Sequence, residues 1–170
     1  MGIALPIETE RLLVRPFEPE QDADAMLAVY GDPEVMRYVP GGAVPDRDAV
    51  LSMLLGYEAQ QAELGFSSWA LVERESAQLI GDVGFGIFAP TGDVELGYTL
   101  SRAHWGRGFA TEAAAACLTA GLAQLPVSRI VALVDEENTR SARAAQRVGM
   151  TRLEPLVVHG RPHVLFAAYR

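Results

Sequence analysis

Two glycines, Gly106 and Gly108, enclose Arg107 directly ahead of Phe109, Ala110, Thr111 and Glu112. The stretch that follows, residues 108–122, is Ala-rich and reads as a long helix. The first backbone N–H groups of a helix have no partner within it, and the helix dipole adds positive potential there. An anion is therefore favoured at this point. Glycine has no side chain, so a pyrophosphate can come close to the backbone. Arg107 adds positive charge at the same place. Trp105 could wall the turn, although core packing is its simplest role. His104 precedes the turn and is most simply an exposed loop residue, with phosphate contact as the alternative.

Two common phosphate loops do not fit. The nucleoside-triphosphate loop needs Lys and Ser or Thr after its last glycine, and neither follows Gly108. The dinucleotide fingerprint needs a third glycine where Thr111 stands, and a parallel strand ahead of it.

Upstream, strand alternation puts Glu95, Gly97, Thr99 and Ser101 on one face and Val94, Leu96, Tyr98 and Leu100 on the other. Gly97 leaves room beside Glu95 for a ligand, which makes Glu95 a candidate base; a paired or solvated strand glutamate is the plain reading. Downstream, Asn138, Thr139 and Ser141 stand at a helix start, where capping is their default role. His104, His159 and His163 share no helical metal spacing, so no metal is expected. Cys117 lies in an apolar helical run and reads as core.

Other elements must hold these residues in place. Residues 12–16 read as a first strand ended by Pro16, and Ala23, Met26, Leu27 and Tyr30 as one face of a helix stopped at Asp32-Pro33. Asp46 is placed to cap a second helix, with Val50, Met53, Leu54, Tyr57 and Leu64 on its apolar face and Gly65 as its stop. Residues 68–73, 79–88 and 94–100 read as strands joined by short turns, hence antiparallel neighbours. Gly84 and Gly86 suggest a bulge or a close backbone contact. A strand over 129–134, a helix over 139–148 stopped by Gly149, and closing strands over 151–158 and 164–169 complete the chain. The pattern gives antiparallel strands followed by a β-α-β-α-β unit, hence a mixed sheet covered by helices.

Composition narrows the function classes. The 170 residues fit one domain, residues 1–170, and 49% are hydrophobic, enough for a core. A net charge of −8 disfavours nucleic acid. It would attract a cationic substrate, although solubility explains it equally well. No apolar run reaches the roughly 20 residues of a membrane span. One cysteine allows no intrachain disulfide, and Met1-Gly2 opens neither an export signal nor a lipidation motif, so a cytoplasmic protein without a membrane partner is expected.

The assembled motifs resemble the GNAT superfamily of N-acetyltransferases, and within it the ribosomal-protein N-terminal acetyltransferase (RimJ/RimL)-like branch. Trp105-Gly106-Arg107-Gly108-Phe109-Ala110 matches that family's Gln/Arg-x-x-Gly-x-Gly/Ala turn. Glu95-Leu96-Gly97-Tyr98 precedes it and Ala110-Thr111-Glu112-Ala113 follows. Asn138-Thr139-Arg140-Ser141, Gly149-Met150, the opening 8–16 and the segment 31–38 also fit, so the likeness covers nearly the whole chain in order. It implies an α/β (α+β) GNAT fold, a mixed, mostly antiparallel sheet of about seven strands flanked by about four helices. It also implies acetyl-CoA as co-substrate.

The resemblance further implies roles. Trp105 to Thr111 would hold the CoA pyrophosphate. The amides near Leu100 and Ser101 would hold pantetheine or the acetyl carbonyl, and Asn138 would touch the pantetheine arm. The strand after Arg129 would splay away to leave a cleft for that arm. Ser141 would hydrogen-bond the CoA sulfur as the acid and Glu95 would act as base, directly or through water. Glu34, Arg15, Arg37 and Tyr38 would line the acceptor side. Two residues depart from the pattern. Trp105 replaces Gln or Arg, and Ala145 stands where many members carry a proton-donating tyrosine. The implied reaction is direct attack of a primary amine, on a peptide N-terminus or a small molecule, in a ternary complex, and the branch is commonly dimeric. The loss of that tyrosine leaves a non-catalytic acyl-CoA sensor as the alternative.

Overall fold

A computed structural model describes residues 2–170; the reading of Met1 lies outside them. The elements in order are β1 (Ile7–Glu8), β2 (Leu12–Arg15), α1 (Pro19–Tyr30), α2 (Arg47–Leu64), β3 (Ser68–Glu73), β4 (Gln78–Phe88) and β5 (Asp93–Leu100). A 3-10 turn over Arg102–His104 leads to α3 (Phe109–Gln124), then β6 (Arg129–Asp135), α4 (Thr139–Arg147), β7 (Thr151–Val158) and β8 (Arg161–Tyr169). Four helices therefore accompany one eight-stranded sheet of order β1-β2-β3-β4-β5-β6-β8-β7.

The fold class is the one expected, with one strand more than the expected seven. The extra strand, β1, is two residues long and pairs Ile7 with Val14. So short a segment carries no readable alternation. β5 and β6 run parallel, and the other neighbours pair antiparallel. The β-α-β-α-β unit runs from β5 to β7 as expected, with β8 inserted between β6 and β7.

Local chemistry sets the boundaries. Pro19 opens α1, where its missing N–H costs nothing. Asp46 Oδ1 accepts the Ala49 amide at 2.9 Å and caps α2, and Gly65 ends that helix. A Cβ on Gly84 would lie 2.1 Å from the Ser67 carbonyl oxygen, so that glycine marks a close backbone approach. Nothing crowds Gly86, and the bulge falls instead opposite Leu71 and Val72.

The sheet separates two cores. On one face Phe109, Ala113, Ala114, Cys117 and Leu118 of α3 cover Val83, Phe85, Val94, Leu96 and Leu100. On the other, Ala23, Met26 and Tyr30 of α1 and Val50 and Leu54 of α2 pack over Ala70. Fully burying each valine, leucine, methionine or phenylalanine among these contributes roughly 1.5–3 kcal/mol. The second face also carries Asp82, the cross-strand partner of both Ala70 and Thr99.

Candidate active site

The parallel pairing of β5 and β6 is brief. Val94 pairs with Ile130 and Glu95 with Val131, and the strands then part. β6 stays paired with β8 as far as Asp135 and His163, so the gap opens on the β5 side. A cleft of about 730 Å³ runs through it. Gly97 to Leu100 form one wall and Ala132 to Asp135 the other. One end reaches the glycine turn and α4, and the other reaches Glu34, Tyr38 and Asp82.

Backbone donors line this gap. The Ser101 amide donates to Ile80 O at 2.8 Å, on the β4 side. Successive amides of a strand point to opposite sides, so those of Leu100 and Tyr98 face the gap. Of the two amides expected there, Leu100 is therefore available and Ser101 is engaged. Ser101 Oγ bonds His104 Nδ1, and Ser101 is not among the cleft-lining residues.

The turn meets the conditions for an anion. Gly106 and Gly108 hold φ of +73° and +80°, a conformation costly for other residues. A Cβ on Gly106 would meet nothing within 4 Å, so the turn lies open. Gly108 is the N-cap of α3 and no side chain caps that helix. Its first amides thus keep free donors facing the cleft through Phe109, Ala110 and Thr111.

Around the turn, polar groups are paired. Trp105 Nε1 donates to Leu100 O at 3.0 Å, and the Arg140 guanidinium sits 3.7 Å over its ring. Glu112 accepts from Thr9 Oγ1 (2.6 Å), the Arg11 amide (2.9 Å) and Arg11 Nε (2.7 Å), which ties the start of α3 to the segment before β2. Arg107, expected to add positive charge at the turn, is paired. Its Nη2 donates to Glu73 at 2.8 Å, its guanidinium lies 4.5 Å from the Phe109 ring, and it does not line the cleft. The Ser76 hydroxyl first, then Arg107, holds the Glu73 carboxyl below its usual value. The cations that do line this end are Arg140, Arg143 and Arg147, spaced along one face of α4. Among the described residues, none of the three forms a salt bridge.

At mid-cleft, Ser141 faces Tyr98. The Tyr98 hydroxyl lies 3.0 Å from Ser141 Oγ and 3.2 Å from the Ser141 carbonyl oxygen. Burial pushes the phenol pKa up, so it stays protonated. Asn138 Oδ1 accepts the Ser141 amide at 3.2 Å, the capping role, and Asn138 also lines the cleft. Ala145 is buried in the core, while Tyr98 brings a phenol to the cleft from β5. Sequence reading did not single out Tyr98 as a cleft residue because alternation placed it on the apolar face.

Glu95 lines the cleft as well. Burial raises its carboxyl pKa, opposed by the Leu133 amide and by His163. His163 is buried with Nδ1 2.9 Å from Arg161 O, so it belongs to the cleft wall as well as to its strand. Of the residues expected on the acceptor side, Glu34 and Tyr38 line the cleft, and Tyr38 Oη reaches across to Glu137 O at 3.4 Å. Arg37 lines a smaller adjoining pocket, and Arg15 is turned away, paired with Asp22 at 2.8 Å. Burial pushes the Cys117 thiol up to about 12, which suits packing and not nucleophilic attack. Among the described residues no group of three or more His, Cys, Asp or Glu is placed to hold a metal ion, and no helix is long and apolar enough to cross a membrane.

Comparison with known families settles the class: the acetyltransferase (GNAT) domain matches residues 11–151. The chain belongs to the GNAT acetyltransferase family. Its relatives include the uncharacterized N-acetyltransferase p20 of Bacillus licheniformis, 35% identical over 136 residues, which covers 79% of this chain and 76% of that protein. A GNAT acetyltransferase structure from Bacillus anthracis aligns with a TM-score of 0.84 at 24% identity, over 97% of this chain and 98% of that one. RimL, a ribosomal L7/L12 α-N-protein acetyltransferase solved in complex with coenzyme A, shares the fold with a TM-score of 0.82 at 15% identity, over 97% and 98% of the two chains.

Proposed function

We propose that this acetyltransferase binds acetyl-CoA along the β5–β6 gap and transfers the acetyl group to a primary amine by direct attack in a ternary complex. The observation that carries the reading is the continuity of the cleft. It joins an uncapped helix start, a row of unpaired strand amides and a carboxylate-lined pocket. Coenzyme A has the complementary sequence of parts: diphosphate, amide-bearing pantetheine and thioester. The coenzyme A bound to RimL supports the same ligand.

In this reading the amides of Phe109, Ala110 and Thr111 hold the diphosphate, and Arg140, Arg143 and Arg147 supply the positive field. The Leu100 and Tyr98 amides hold pantetheine or the acetyl carbonyl. Acetyl-CoA supplies the thioester. The chain's residues position the amine, take its proton and return one to the departing sulfur. Glu95 is the base, and its raised pKa keeps it closer to neutrality than an exposed glutamate. Ser141 protonates or hydrogen-bonds the sulfur and is itself hydrogen-bonded to Tyr98. An α-amine, with a pKa near 8, is roughly one-tenth neutral at pH 7, whereas a lysine amine near 10.4 is neutral in about four molecules per ten thousand. An α-amine therefore asks less of the base, and an amine of higher pKa relies more on Glu95 to take its proton.

We propose a cytoplasmic single-domain member of the RimJ/RimL-like branch, in which homodimers are common. The second reading, an acyl-CoA sensor, draws on Ala145, where the usual acid is missing. Thermal shift and thiol release with acetyl-CoA across N-terminal peptides, amino acids and small amines separate the two. Stabilisation with amine-dependent thiol release supports transfer. Stabilisation without thiol release from any amine supports the sensor.

A further inference from the structure

Asp82 takes no part in the acetyl-transfer steps proposed for the cleft. It lies mid-strand in β4, is 5% exposed and lines the acceptor end of the cleft. Its Oδ1 is buried without a hydrogen-bond partner. The groups that act on it are Tyr30 of α1, Ser68 of β3 and Thr99 of β5, with Tyr57 of α2 alongside. All are neutral hydroxyls, and no arginine or histidine is among them. A buried carboxylate without a cation destabilises a fold, and proteins retain such groups where a ligand completes them.

Register separates this acid from Glu95. Asp82 pairs with Thr99, four residues beyond Glu95 on the same face of β5. At strand spacing the two backbones stand roughly 14 Å apart. One nitrogen in contact with Glu95 cannot also reach Asp82. We propose that Asp82 holds a second, protonated nitrogen of the acceptor, so that the cleft takes a compound with two basic nitrogens, of which the one held near Glu95 reacts. The Ser68 and Thr99 hydroxyls, which line the same cleft, then supply further acceptors to the ammonium.

The inference rests on the acetyl-transfer reading of the same cleft, and the two fail separately. The test is thermal stabilisation in the presence of coenzyme A, with 1,4-diaminobutane or 1,6-diaminohexane against the monoamines n-butylamine and n-hexylamine at equal concentration. The account predicts a larger shift with a diamine, at least tenfold tighter by titration, and loss of that preference in Asp82→Asn. Asp82→Asn alone should melt higher than the parent at pH 8, since it removes an uncompensated charge. A purely structural Asp82 would give a lower melting temperature. Equal stabilisation by diamines and monoamines in the parent protein overturns the proposal without any variant. A diamine preference that survives in Asp82→Asn overturns it as well. Diamine binding without thiol release would instead overturn acetyl transfer and leave Asp82 in its role.

Discussion

The two ends of the cleft are built on opposite terms. At the glycine turn, charged side chains pair within the protein: Arg107 with Glu73, and Arg11 with Glu112. What remains open there is backbone N–H and three arginines on α4, a surface for an anion. At the acceptor end, two of the carboxylates that face the cleft have pKa values lifted by burial, Asp82 to about 6 and Glu95 above its usual value. The first end is preorganised by satisfied pairs, so ligand binding there costs little rearrangement. The second end holds a buried carboxylate oxygen without a partner, which costs stability. One molecule thus shows both ways of making a site: completing the protein's own bonds around a donor set, or leaving a bond for the ligand to complete.

The sharpest way to break this contrast is at the turn. Gly108→Val forces a β-branched residue to φ +80° and crowds the donor amides. Strain and lost charge-assisted bonds together should weaken CoA binding about a thousandfold, roughly 4 kcal/mol, as read by calorimetric titration. A change of less than tenfold would remove the turn from the binding site.

At the other end the expected effect is next in size and has the opposite sign for stability. Asp82 has a folded pKa of about 6 against an ordinary 3.8. Between those values the folded state binds more protons than the unfolded one, so this group's contribution falls as pH rises through that window. The gap corresponds to a ceiling of about 3 kcal/mol. Asp82→Asn should therefore stabilise the protein at pH 8 and be nearly neutral at pH 4, as chemical denaturation at the two values would show. Destabilisation at both would end the contrast.

Between the two ends, Ser141→Ala and Tyr98→Phe should each lower kcat by about tenfold to thirtyfold with little change in the KM for acetyl-CoA. Because the hydroxyls are 3.0 Å apart, the double variant should lose less than the product of the single losses. Multiplicative losses would mean that the two act separately. The smallest effect belongs to the exposed cations. Arg143→Ala should weaken CoA binding about threefold to fivefold and flatten its salt dependence.

The two ends also differ in how far the sequence reveals them. The turn is legible because its function is a backbone property, and backbone requirements write themselves as glycine ahead of a helix. The strand limits of β3, Ser68–Glu73, are legible for a similar reason, since short polar turns bound an apolar run. Asp82 is not legible in that way. It sits in the run Leu79 to Phe85, and only its pairing with Thr99 and the packing of α1 and α2 turn that position into a cleft wall. Arg107 misleads for the same reason, because Glu73, its partner, lies 34 residues away in sequence. Tyr98 likewise gains its role only from a helix that begins 41 residues later, at Thr139.

A crystal structure with bound coenzyme A tests the central claim directly. The account predicts the diphosphate within hydrogen-bond distance of the Phe109, Ala110 and Thr111 amides, with pantetheine running between β5 and β6. A diphosphate held by side chains away from that turn, or pantetheine lying outside the gap, would contradict it.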